Sequence, residues 1–185
     1  MDTTGLVDQG FTWTADRIAA IPADGLDAPT PCGDWDLREL LDHIVDVLTS
    51  LTDAVAAPGD SPSPSPSPGR GAGDWGRALA DLAARNRLGW AEPGVMDRTM
   101  AVGDGTMSAP TVASSTLLEL VVHGWDVGQA TGEAPAIPDV LAAPILAFAR
   151  GAIDDASRGD NFAADLGVGD TPSDQLLAYL GRKPL

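Results

Sequence analysis

Apolar residues recur along this chain at three- and four-residue intervals, the spacing that puts them on one side of an α-helix. Val7, Phe11, Thr14 and Ile18 trace such a stripe over residues 4–21, and Pro22 closes it. A second stripe, Leu37, Leu40, Ile44, Val47, Leu48 and Leu51, follows Asp36, which with Glu39 three positions later makes a capping-box start; this helix runs to about Ala57. Trp75, Leu79, Leu82 and Leu88 mark a third helix over 74–90, on or near one face. Between 111 and 130 the pattern changes. Leu117, Leu118, Leu120, Val121, Val122 and Trp125 are apolar almost all round, so this fourth helix is expected to be buried, with Gly132 as its stop. Leu141, Ile145, Phe148 and Ile153 give a further helix, with Pro138 in its first turn and Pro144 bending or restarting it. Thr171 and Pro172 open a short last helix whose Leu176, Leu177 and Leu180 dock on the rest, with Gly181 after it.

The connections are equally readable. Three prolines and two glycines in 22–35 predict an ordered loop. Residues 58–73 are a Ser-Pro repeat with nothing to build a core, expected to be a flexible, extended, solvated tether inside one domain spanning 1–185. In 91–110 the Asp104-Gly105 turn signal between short alternating stretches predicts a small hairpin or a crossover loop covering one end of the bundle. The sum is an all-α protein: a four-helix bundle, a hairpin or crossover before its buried helix, and a short C-terminal helix.

Only two histidines occur, and both fall on helices. Glu119 and His123 are one turn apart on the buried fourth helix, so a carboxylate and an imidazole point the same way. An unpaired charged carboxylate is costly there, and a bound cation would remove that cost. His43 flanks the apolar stripe of the second helix and could face the pair across the bundle. Two histidines and a glutamate match the three protein ligands of a catalytic zinc site with positions left for water or substrate, whereas a structural site closes with four. The same spacing also suits two part-buried histidines satisfied by backbone groups with Glu119 in a salt bridge, and the residues alone leave both readings open. Asp46 and Asp126 each follow a histidine by three positions. Asp126 is the candidate acceptor for the second ring N–H of His123, while Asp46 reads as a solvated helix residue.

Composition narrows the partners. With 11 Lys+Arg against 27 Asp+Glu, the 185-residue chain carries a formal charge of -16, which argues against nucleic acid or an anionic membrane as partner. The single cysteine, Cys32, excludes an internal disulfide; between Pro31 and Gly33 it reads as a packed loop residue with no base beside it. No apolar run reaches membrane-spanning length and the N-terminus lacks a secretory pattern, so a cytoplasmic monomer or homodimer is expected. Arg38 and Arg85 read as surface residues of amphipathic helices, and Trp35 and Trp125 as core aromatics able to wall a pocket.

Four segments carry a family likeness that periodicity could not supply: Thr30-Pro-Cys-Gly-Asp-Trp35, Leu40-Leu-Asp-His-Ile44, Glu119-Leu-Val-Val-His-Gly-Trp-Asp126 and Ala130-Thr-Gly132. They resemble the mycothiol-dependent maleylpyruvate isomerase N-terminal family, and Asp174-Gln-Leu-Leu-Ala-Tyr-Leu-Gly-Arg182 is similar to the ending of its compact metal-binding members. The resemblance implies a DinB/YfiT-like four-helix bundle with His43, Glu119 and His123 as ligands of a divalent metal, zinc or alternatively nickel. It also implies a cosubstrate, mycothiol, that meets a small-molecule electrophile for isomerisation or thiol transfer. Maleylpyruvate isomerases carry a further C-terminal domain where this chain offers a short helix, so thiol transfer is the expectation ahead of maleylpyruvate isomerisation. A metal-dependent hydrolase and a non-catalytic metal- or ligand-binding bundle are the competing expectations.

Overall fold

The computed structural model describes residues 2–56, 72–133, 135–154, 156, 158, 162–167 and 169–183. Four helices form the bundle: α1 (Thr3–Ala19), α2 (Leu37–Val55), α3 (Ala72–Trp90) and α4 (Ala109–Ala130). Two more, α5 (Asp139–Ala152) and α6 (Pro172–Tyr179), pack on each other, and α5 also leans on α4. The only sheet among the described residues is the hairpin β1 (Thr99–Val102) and β2 (Gly105–Ser108), antiparallel, with Val102 opposite Gly105. It stands directly before α4, where the sequence predicts a hairpin or crossover. The all-α bundle is therefore as expected. The tether expected at 58–73 lies outside the described residues except at its end, where 72 and 73 already belong to α3.

Local chemistry accounts for the helix ends. Asp36 caps α2 by accepting the Glu39 N–H while the Glu39 side chain accepts the Asp36 N–H, and Thr171 with Asp174 repeats this capping box at α6. Gly132 and Gly181 adopt φ of 79° and 71° just past α4 and α6. In each case the glycine N–H and the next N–H return to carbonyls of the last turn: Gly132 to Gln129, Glu133 to Gly128, Gly181 to Ala178 and Arg182 to Leu177.

The main core draws on all six helices, and α4 is its axis, buried along almost its whole length as its all-round apolar pattern predicts. Helix α1 seats on it closely: Trp13 Nε1 donates to the Val121 carbonyl at 3.2 Å, and Thr14 Oγ1 lies 2.6 Å from that of Leu120. Gly124 makes this approach possible, since a Cβ there would sit 2.8 Å from the Trp13 ring.

Three sequence expectations change. Leu88 is 71% exposed, because the buried stripe of α3 runs Trp75, Leu79, Leu82 and then Asn86, and position 88 falls on the far side. Pro138 is the cap of α5, one residue earlier than a first-turn position. Pro144 neither ends nor restarts α5, which continues from Asp139 to Ala152 as one helix.

Candidate metal centre

Helix α4 presents Glu119 and His123 one turn apart, and α2 presents His43 against them. Glu119 Oε2 lies 3.2 Å from His123 Nε2 and 3.6 Å from His43 Nε2. The two imidazoles meet edge to face, with centroids 4.9 Å apart and planes at 84°. One donor atom from each of the three residues falls within 4.8 Å of the others. The structure thus brings together all three residues that the sequence singles out as ligand candidates.

Charge placement makes the cluster incomplete as it stands. His123 Nδ1 is 2.9 Å from Asp126 Oδ2, and Asp126 is wholly buried. A buried carboxylate can only accept, so Nδ1 carries the proton, and a neutral His123 turns the lone pair of Nε2 toward Glu119. Two acceptors then face each other at 3.2 Å. Glu119 Oε2 is indeed shielded from solvent without an aligned hydrogen-bond partner. Such a group calls for a proton or a metal cation. Without metal, a proton is held there. Burial alone would raise the Glu119 carboxyl and lower His123, but His123 and His43 bring Glu119 down to about 2, while Asp126, Cys32 and Glu119 hold His123 well above its usual value. Asp126 is likewise lowered, because His123 and Arg182 outweigh its burial.

These residues stand at a cavity of about 780 Å³. Its wall includes the loop Pro31–Trp35, Leu118 and Val122 of α4, Phe162 and Ala163, and Gly181 and Arg182 beyond α6. The loop is as ordered as its prolines predict: Thr30 accepts the Cys32 N–H, its hydroxyl donates to the Trp35 carbonyl, and Gly33 turns with φ of 64°. That turn carries Trp35 to the rim, 39% exposed and tilted against the His43 ring at 4.9 Å. Trp125, the other candidate wall, is buried in the core.

Cys32 requires a correction. It is a pocket residue, with Sγ donating to Asp126 Oδ2 at 3.0 Å and lying 3.7 Å from His123 Nδ1, so the expectation of a packed cysteine with no base nearby does not hold. Burial, with Asp126 adding to it, keeps its thiol pKa raised. Arg182 was not singled out from the sequence as a site residue, yet its Nε lies 3.2 Å from Asp126 Oδ1. Only the glycine turn after α6 hints at it, by folding the chain back. Asp46 is exposed and Arg38 meets the exposed Asp27, as their surface readings require, whereas Arg85 is three-quarters buried in its ion pair with Asp53; both arginines lie away from the cavity.

The sequence signature of the Mycothiol maleylpyruvate isomerase N-terminal domain matches residues 7–128, a stretch that holds His43, Glu119, His123 and Asp126. The chain belongs to that family. Two uncharacterized proteins of Mycobacterium tuberculosis are 30% identical to it over 169 residues, covering 89% of this chain and 89% of theirs. Among solved structures, the mycothiol-dependent maleylpyruvate isomerase and a histidine-to-alanine mutant of it superpose with TM-scores of 0.54 and 0.56 at 14% and 13% identity. That likeness covers 76% of this chain and 66% of theirs, so the family member spans just under two thirds of the solved enzyme's length and shares its fold.

Proposed function

We propose that this family member binds a divalent metal, zinc or alternatively nickel, through His43, Glu119 and His123 and activates a low-molecular-weight thiol, mycothiol, against a small electrophile. The observation that carries the reading is Glu119 Oε2, buried and without an aligned partner between two imidazole nitrogens, beside a cavity of about 780 Å³. The donor set suits the ion, since two imidazoles and one carboxylate leave positions open for exogenous ligands. A metal held there supplies positive charge that lowers the pKa of an entering thiol, the thiolate being the nucleophile.

The chain's own residues do the rest. Asp126 holds the His123 Nδ1 proton and so aims Nε2 into the site. Glu119 contributes the one negative charge of the ligand set, leaving a divalent ion net positive. Trp35, Phe162, Leu118 and Val122 give the cavity an apolar wall that favours the carbon skeleton of an electrophile and limits water. An open cavity reaching the three donors favours an enzyme over a sealed metal-binding bundle.

The test is metal content of protein purified without chelator or metal-affinity resin, beside His43→Ala and Glu119→Ala variants, followed by mycothiol consumption with electrophiles. About one equivalent of metal in the parent, lost in both variants, is the expected result. Parent protein that stays metal-free after zinc is added would overturn the reading.

A further inference from the structure

His123 belongs to two donor sets. Its Nε2 faces Glu119 and His43, and its Nδ1 faces Asp126 Oδ2 at 2.9 Å and Cys32 Sγ at 3.7 Å. The second set, Cys32, His123 and Asp126, has donor atoms within 4.8 Å of one another, just as the first does. By chemistry it is the more attractive of the two for a borderline-soft divalent ion, because a thiolate joins imidazole and carboxylate. Left open, it would compete for the same histidine.

A cation already occupies its edge. Arg182 Nε lies 3.2 Å and 3.3 Å from the two Asp126 oxygens, and Nη2 is 3.3 Å from Oδ2 and 3.7 Å from Cys32 Sγ. The guanidinium therefore touches two of the three donors, and unlike an imidazole or a thiol it does not give up its charge. A divalent ion between Cys32 and Asp126 would meet a fixed positive charge at contact distance in a water-poor interior, where such repulsion is poorly screened. The carboxylate is also fully engaged, accepting from His123, Cys32 and Arg182.

We propose that Arg182 is a specificity-determining residue for metal placement: it closes the Cys32, His123, Asp126 set to divalent ions and so directs the ion to His43, Glu119 and the opposite nitrogen of His123. The inference rests on the reading of that first set as the metal site. It gives the residue beyond α6 a role at the centre of the bundle. With no ion admitted there, the Cys32 S–H stays directed at Asp126.

Cobalt(II) is the probe, because thiolate ligation produces a near-ultraviolet sulfur-to-metal charge-transfer band that nitrogen and oxygen ligands do not. The parent, Arg182→Gln, Arg182→Lys and the double variant Arg182→Gln with Cys32→Ser are titrated, with circular dichroism as the check on folding. Cobalt uptake without the band in the parent and in Arg182→Lys, the band in Arg182→Gln, and its loss in the double variant are expected. The band in the parent, or its absence in folded Arg182→Gln, would overturn the proposal. If Arg182→Gln does not fold, Cys32→Ser in the otherwise unchanged protein decides: cobalt affinity retained supports exclusion of Cys32, and a loss on the order of tenfold or more would overturn it. A parent that takes no cobalt while Arg182→Gln gains the band sinks the first-set reading and leaves the exclusion standing. No uptake by either folded protein removes both.

Discussion

Asp126 and Arg182, 56 positions apart in sequence, meet side by side with Nε 3.2 Å from Oδ1 and Nη2 3.3 Å from Oδ2. The carboxylate is wholly buried and the guanidinium nearly so, which makes each the other's charge partner in the interior. Because the same carboxylate also accepts from His123 Nδ1, the pair links the residue beyond α6 to the orientation of an imidazole on α4.

Asp126→Asn is expected to cost about 3–5 kcal/mol of stability, because it leaves the Arg182 charge buried without a partner. Zinc affinity should fall about 10–100-fold as His123 loses its anionic acceptor. Urea unfolding and competition with a chromogenic chelator measure the two effects. Adding Arg182→Gln should recover part of the stability, and failure to recover any would mean that the pair does not act through its charges.

Acidity should oppose metal uptake over an unusually high range. In the metal-free protein His123 is held well above 6.5, since Asp126, Cys32 and Glu119 outweigh the effect of burial. The sign follows directly. A raised folded pKa stabilises the metal-free fold fully below the unfolded value, and that contribution is lost as pH rises through the folded value. An ion at Nε2 must displace this proton, so zinc affinity should keep rising with pH above 6.5. Glu119, at about 2, adds nothing in that range. Zinc titrations at a series of pH values check this, and an affinity already level at 6.5 would contradict it.

On the proposed reading zinc should raise the melting temperature, because it would bind the folded donor set and not the scattered one. Free zinc at 100 times its Kd corresponds to roughly 2.7 kcal/mol. Thermal unfolding with zinc, then with excess chelator, reads the gain and its reversal. Glu119→Gln should show neither.

Gly124→Ala should destabilise by about 1–3 kcal/mol through overpacking, since the added methyl meets the Trp13 ring at 2.8 Å. The same change tests the coupling of packing to chemistry, because Gly124 follows His123 directly. Thermal melts give the first quantity and zinc affinity the second; a methyl group tolerated without loss of stability would mean that α1 gives way easily.

The helices were legible because each advertises itself locally. Val7 to Ile18 and Leu37 to Leu51 repeat at helical spacing, and Asp36, Gly132, Thr171 and Gly181 mark ends through bonds that span only a few residues. Glu119 and His123 were legible for the same reason, being one turn apart. The meeting of His43 with them depends on how α2 lies against α4, yet two apolar faces in one bundle leave few alternatives. Cys32 and Arg182 were not legible as site residues. They reach Asp126 across 94 and 56 positions from a loop and a post-helix turn, where no periodicity says which way a side chain points. Leu88 and Pro144 show the limit within helices: one apolar residue need not lie on the buried stripe, and one proline need not interrupt a helix of about four turns whose contacts are already secured by Leu141, Ile145 and Ala149.

The span between Asp126 and Arg182 sets an order of events at the ribosome. Cys32, His43, Glu119, His123 and Asp126 are all synthesised before the arginine that neutralises the last of them. At about 5–20 residues per second, the 56 intervening positions correspond to roughly 3–11 s in which the nascent bundle carries both donor sets and no guanidinium. An ion taken up at Cys32 in that interval would meet the Arg182 guanidinium once the chain is complete, 3.7 Å from the sulfur.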